Sequence, residues 1–457
     1  MPYRGRRRSL AGPLVLIIIG VLFLLGNIHV VPWPNIGHLF ARYWPLLLIL
    51  WGVVRLLEHY SDRQHGYPTR GIGAGGVLFL IFLIMIGLAA SSADRLNWQG
   101  IRADVDTDND FFGIFGQNYS YTTTLTQDLP PAVNNGTVRV VSDRGDVTLN
   151  SWNQNQIKVD VTKKVRAQNQ NEADQRNQQT QPTISIDGNV VTVNANTSAA
   201  GNGSVRSNLE IWVPQAMAAD LATRYGDVSL TDRKGYVRAS TSHGDITLSG
   251  ITGNVDIEER RGDVRAEKIT GDVTVNGRVN DIAISDVNGA VRLNGDYFGD
   301  MNLSKIAKGV TFRSSRTDME LAKLDGDLTM QSGDLRASNL AGPMKILTRS
   351  KDIHIDGISG DLRVENSNGL VEVRSTKLGA MDIANRKGDV QIVVPDKSAF
   401  QLQCKARNGD INSDFSGIKV TTERDDTTAS GAVGTGGPTL QVNNEYGNIE
   451  IRKAGQS

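Results

Sequence analysis

The chain has 457 residues, with 49 Lys and Arg against 49 Asp and Glu, six His and one Cys, a length that predicts about two to four domains. Its zero net charge joins two unlike parts: residues 1–93 hold eight Arg, no Lys and two acids, a balance of +6, and residues 94–457 carry the compensating −6. That split excludes a single soluble domain, the acidic body argues against nucleic acid as a partner, and the lone Cys404 excludes an internal disulfide framework and a cysteine-built zinc site.

The N-terminal part predicts three transmembrane helices. Residues 11–31 and 71–93 carry no charged side chain and are long enough to cross a bilayer, for which about 20 apolar residues suffice. Residues 39–57 form a second span, with Arg42 and Arg55 near its ends, Trp44 and Trp51 as interfacial anchors, and Pro45 within it. Arg4, Arg6, Arg7 and Arg8 precede the first span, and Arg55, Arg63 and Arg70 lie between the second and third. The positive-inside rule puts both segments in the cytoplasm. The N-terminus is then cytoplasmic, and three spans carry residue 94 onward outside a cytoplasmic membrane, with the lipid bilayer as first partner. The run Ala89 to Ala93 also fits a signal-peptidase site, but two spans already precede it.

Residues 94–135 read as an exported linker, and beyond them the sequence repeats. YGDVSLTD (225–232), HGDITLSG (243–250), TGDVTVNG (270–277), SGDLRVEN (359–366) and KGDVQIVV (387–394) share one pattern. Marking the glycine position gives nineteen slots from 226 to 388, and fifteen of the eighteen steps are nine residues. The second and fourth residues after each slot are apolar in all 38 cases, whereas the third and fifth are apolar in five. A period of two repeated in this way predicts short strands, each burying one face. At the seventh position large aliphatics (Ile251, Ile269, Val287, Ile306, Leu324, Leu340, Ile358, Leu378) alternate with mostly polar residues, so the structural period is about 18 residues.

The expected fold is therefore all-β: a flattened β-solenoid of about nine or ten coils, with a thin core between two sheets and a length of about 45 Å. Residues 136–224 read as wider N-terminal coils, with the Gln/Asn-rich stretch 167–182 as an exposed loop. Residues 225–395 form the regular solenoid. Residues 396–457 supply C-terminal capping strands around a Gly/Thr/Ser-rich loop at 425–438, and Cys404 falls on an alternating strand as a small buried residue.

Candidate chemistry centres on the residue after the slot. On alternate strands it is Asp227, Asp245, Asp263, Asp281, Asp300, Asp318, Asp334 and Asp352, then Leu370, then Asp389. Stacked along one edge, these carboxylates form a ladder that could take a cation or a sugar. The G-G-x-G-x-D spacing of calcium β-rolls is absent, however, and Arg260, Arg278, Arg316, Arg349 and Arg386 recur just before the ladder turn. Exposed like charges about 5 Å apart cost only about 0.8 kcal/mol in water. The ladder therefore needs no metal, and turn hydrogen bonding is an alternative role for an Asp after Gly. Two Arg-Gly-Asp triplets, at 144–146 and 261–263, fall on the same turn, where Gly-Asp is the commonest pair. Four of the six His lie in the membrane part, leaving His243 and His354 on different repeats. No phosphate-binding loop, zincin helix or His-based triad is present in the sequence, so neither an enzyme nor a cofactor is expected. A polysaccharide-active β-helix is the enzyme alternative, but its long groove-building loops have no counterpart in nine-residue steps.

The spans RRRSLAGPLVLIIIGVLFLLGN and YWPLLLILWGV resemble the LiaI/LiaF-like transmembrane region of bacterial envelope proteins. The recurrent G-D-[VIL]-x-[VIL], the VP at 213–214 and the final YGNIEI resemble the toastrack, or adhesin-type, β-solenoid family. The resemblance implies a non-catalytic bacterial membrane protein of a group linked to envelope stress. Such proteins act by contact with a membrane-embedded signalling protein or with an envelope polysaccharide; an adhesin-like surface-binding module is the alternative.

Overall fold

A computed structural model of the chain describes residues 117–133, 135–201 and 204–455. The spans expected at 11–31, 39–57 and 71–93 lie outside the described residues, among which no helix is long and apolar enough to cross a membrane. Asn118–Ser457 forms a unit of its own, organised by the period-two pattern. All 38 apolar positions of the repeat are buried. They stack in two columns of parallel strands: Val237, Val255, Val273, Val291 and Val310 in one sheet, and Val228, Ile246, Val264, Ile282 and Met301 in the other. The step is 18 or 19 residues, as expected for two strands and two arcs.

The seventh-position aliphatics have a backbone cause. In seven coils one corner takes a left-handed residue, at Asp232, Gly250, Lys268, Asp286 and Lys305 and again at Asn339 and Gly357, a conformation that residues other than Gly, Asn and Asp adopt at a cost. The resulting kink turns the next residue inward, so Ile251, Ile269, Val287 and Ile306 are buried. In the first regular coil that place is held by Arg233, in register with Ile251 and fully buried. Its Nη1 donates to the Pro214 carbonyl (2.9 Å) and to Ser151 Oγ (3.2 Å), while Nε and Nη2 have no partner. Burial lowers the guanidinium pKa to about 10. Arg233→Met, which matches the stem and removes an unpaired buried charge, should raise the melting temperature by a few degrees, a gain of about 1–2 kcal/mol; differential scanning calorimetry of the solenoid reads it directly.

The uniform coil expected over 225–395 is interrupted once. After the strand Val310–Arg313 the chain turns back through Ser315 and Arg316, closed by the Ser314 N–H to the Thr317 carbonyl at 3.0 Å. The strand Thr317–Met330 then runs antiparallel to both preceding strands: Phe312 faces Met319, Val310 faces Leu321, Leu303 faces Leu328 and Met301 faces Met330. A second tight turn at Ser332–Gly333 reverses the chain again, and Asp334–Thr348 pairs antiparallel with the reversed strand. Parallel stacking then resumes, with Leu335 on Ile353 and Ile353 on Val371. One coil is thus wound backwards between two forward stretches. The second turn is held from the next coil by Lys351, whose Nζ donates to the carbonyls of Gln331 and Ser332 (3.1 Å to the latter).

Upstream, Thr137–Val141 and Val147–Trp152 extend the two sheets onto longer strands, among them Gln156–Ala167 and Val205–Pro214. Gln117–Asp128, within the segment 94–135, is itself a strand paired with Gln156–Ala167. The expected loop at 167–182 is instead largely a helix, Gln170–Gln179. Its start is capped by Asn169, which accepts the Glu172 N–H at 3.0 Å. Its end is bound by Lys163, which donates to the Thr180 carbonyl (2.7 Å) and Asn177 Oδ1 (2.9 Å), a cation at the end where the helix dipole favours one. Downstream, most of the expected loop at 425–438 is the strand Asp426–Val433, antiparallel to both Ile418–Glu423 and Phe400–Arg407. Its inward residues, Thr427 and Ala429, are small and carry little apolar signal.

Candidate functional site along the turn edge

The glycine slot brings successive turns into backbone contact, which stacks the following aspartates. Asp146, Asp227, Asp245, Asp263 and Asp281 each use Oδ1 to accept the N–H of the corresponding residue one coil later, at 2.8 to 3.2 Å. The last of these donors is Asp300. The same bond runs from Leu370 N–H to Asp352, from Asn448 N–H to Asp389 and from Asp410 N–H to Asn448. The acceptor role expected of the turn aspartates is therefore present, but the donor belongs to the neighbouring coil rather than to the same turn. A shorter copy occupies the opposite edge, where Asn254, Asp272 and Asp361 accept from Asp272, Ala290 and Ala380.

The structure brings Asp227, Asp245, Asp263, Asp281 and Asp300 into one column, and Asp334 and Asp352 into the column beyond the reversal. Asp318 is placed elsewhere. The backward coil puts it opposite Arg313 and Leu347, on the other sheet, because period-two numbering continues through a change of direction. Among the described residues no three His, Cys, Asp or Glu side chains converge as a metal cage. Asp227 has its carboxyl pKa raised, chiefly by burial and further by Asp146 and Asp245. Asp245→Ala strands the Asp263 N–H and should cost about 1 kcal/mol, whereas Asp245→Asn keeps an acceptor and should cost less. Urea denaturation of 118–457 compares them, and chelation by EDTA should leave the melt of the parent protein unchanged.

Behind the aspartates runs a buried polar column that the sequence pattern did not reveal. Thr223 and Thr241 donate to the carbonyls of Gly145 and Gly226. Asn366, Asn385 and Asn444 donate to those of Lys351, Gly369 and Gly388. Between these groups Glu259, 1% exposed, accepts the N–H groups of Arg260 and Arg261 at 2.8 Å through Oε1; its Oε2 has no partner. Burial, with Asp245 and Asp227 adding repulsion, pushes its carboxyl up to about 7.

The remaining candidates have local partners. The first Arg-Gly-Asp triplet has Asp146 bound by the Asp227 N–H and by Arg206 at 3.0 Å, with Arg144 over the Tyr225 ring. His243 stacks on Tyr225, and His354 bonds Glu372 at 2.7 Å. Cys404 is buried as expected, and burial raises its thiol pKa to about 12.

On the same edge, beyond the reversal, lies a groove of about 610 Å³. Its floor is the column Thr317, Thr348, Asn366, Asn385 and Asn444, and Arg316, Arg349 and Arg386 stand along it.

The family model for Toastrack DUF4097 matches residues 136–452, nearly the whole described solenoid. The chain belongs to the toastrack family. The model for the LiaF transmembrane domain matches residues 11–98, so this toastrack protein is membrane-anchored. Two solved structures are similar: a candidate cell adhesion protein from Clostridium sporogenes, 9% identical, covering 74% of this chain and all of that one at a TM-score of 0.17, and a candidate adhesin from Bacteroides fragilis, 9% identical, covering 73% and 97% at 0.20. No curated protein matches the chain.

Proposed function

We propose that this toastrack protein is a non-catalytic sensor or scaffold of the bacterial envelope. Its solenoid, outside the cytoplasmic membrane, contacts an envelope component, and its three membrane helices relay or localise that state to a membrane-embedded signalling partner. The observation that carries the reading is the joining, in one chain, of a LiaF transmembrane domain at 11–98 to a toastrack solenoid at 136–452. Supporting it, most of the aspartate Oδ1 atoms along the turn edge are engaged by backbone N–H groups, which gives the ladder a structural role. The arginines before the first span (Arg4, Arg6, Arg7, Arg8) and between the second and third (Arg55, Arg63, Arg70) support the orientation.

Exchanging residues 11–93 for an unrelated three-span anchor tests the relay. The proposal predicts loss of the chain's effect on an envelope-stress reporter while surface display of the solenoid is kept. Full function with the foreign anchor would instead support the second reading, an adhesin-like module that uses its helices only for attachment; the groove beside Arg349 is the observation that favours it.

A further inference from the structure

We infer that the groove beyond the reversed coil binds a phosphodiester-linked polyol or sugar polymer. This deepens the envelope-contact reading and rests on it. Arg316, Arg349 and Arg386 are exposed and have no ion pair among the described residues. The other charges nearby are largely spoken for: Glu365 is held by Arg363 at 2.6 Å, and Lys405 and Arg407 share Asp426. On the sheet faces, by contrast, Arg238, Arg292 and Arg336 each meet an acid within 3.1 Å.

The free arginines follow a register. Thr317 pairs with Thr348, Thr348 with Asn366 and Asn366 with Asn385. Arg316 and Arg349, each adjoining one of these threonines, therefore stand at the ends of neighbouring strands, and Arg386 follows two strands later, about 10 Å on at the usual strand spacing. A guanidinium offers a planar fork suited to phosphate oxygens, and a row of them fits a ligand with repeated phosphates better than a single anion. Asp318 and Glu445 also line the groove and can accept hydroxyl hydrogen bonds from the polyol between phosphates. The floor beneath the arginines is buried and anchored, with the amide groups of Asn366, Asn385 and Asn444 donating to turn carbonyls. The reversal builds the site, because only a backward coil sets Arg316 beside Arg349.

The full chain in nanodiscs of neutral lipid, titrated with poly(glycerol phosphate) at low salt, tests the assignment. Binding should weaken steeply with added salt, since each neutralised phosphate releases counterions, and a neutral glucan should not compete. Arg316→Ser/Arg349→Ser/Arg386→Ser should weaken binding at least tenfold at an unchanged melting temperature, whereas Arg238→Ser on the opposite strand end should not. Vesicles of anionic lipid without polymer separate headgroup from polymer as the phosphate source; equal arginine-dependent binding to them would move the assignment to a lipid surface and overturn it. No polymer binding, or binding untouched by the triple substitution, would also overturn it. If the foreign-anchor exchange still abolished signalling in that case, only the ligand would be wrong and the relay would stand.

Discussion

Gly244→Val should unfold the solenoid or cost it about 3 kcal/mol or more, while Gly333→Ala, at the same place in the repeat, should change stability by less than about 0.5 kcal/mol. At Gly244 φ is +145°, and an added Cβ would lie 2.1 Å from the Gly226 carbonyl oxygen of the coil beneath. Gly226 over Gly145 and Gly253 over Gly235 repeat the contact at 2.2 and 2.1 Å. Neither partner can move without breaking the register of both coils, so backbone strain and overpacking add. Gly333 sits on the tight turn after the reversed strand, where an added Cβ meets nothing within 4 Å. Urea denaturation of residues 118–457 compares the two. Similar midpoints for both variants would mean that the slots do not stack as described.

Glu259→Gln should stabilise the solenoid at pH 8 and leave it nearly unchanged at pH 5. The folded carboxyl titrates at about 7 against an ordinary value of 4.5. Folding therefore favours the protonated form, and the stability this confers is present below about pH 4.5 and lost as pH rises through 7. The difference corresponds to about 3 kcal/mol between the two ends of that window. A glutamine oxygen can still accept from Arg260 and Arg261, without a buried charge facing Asp245 and Asp227. Denaturation midpoints at pH 5, 6, 7 and 8 should slope downward in the parent protein more steeply than in the variant; parallel slopes would place the titration elsewhere.

The two sheets were legible because alternation is a direct consequence of strand geometry, and Val228, Ile246, Val264 and their counterparts show it without exception. The reversed coil was not, for the same reason. Alternation reads identically in either chain direction, so Met319, Leu321, Leu328 and Met330 fit the pattern while running backwards. The only trace was the seven-residue step from 326 to 333, too short to repeat an ordinary half-coil. That hidden reversal also explains why Asp318 counted as a ladder residue and faces Arg313 instead. The helix at Gln170–Gln179 escaped because it has almost no apolar face; a cap and a buried lysine from another strand order it. Glu259 and the asparagine column lie at strand ends, where composition does not distinguish an inward polar residue from a turn residue. Of the site, the basic residues before the turn were visible in sequence, but their alignment into one groove depends on the reversal.

Photo-crosslinking in native membranes decides most directly whether the solenoid acts, as proposed, through residues 11–93 on another protein. Probes would be placed singly within residues 11–93 and along the groove at Arg349 and Arg386. The proposed relay predicts a discrete membrane-protein adduct from residues 11–93, lost when the foreign anchor replaces them, together with envelope polymer from the groove. Adducts of glycan or wall material along the solenoid, with none from any position in the helices, would contradict it.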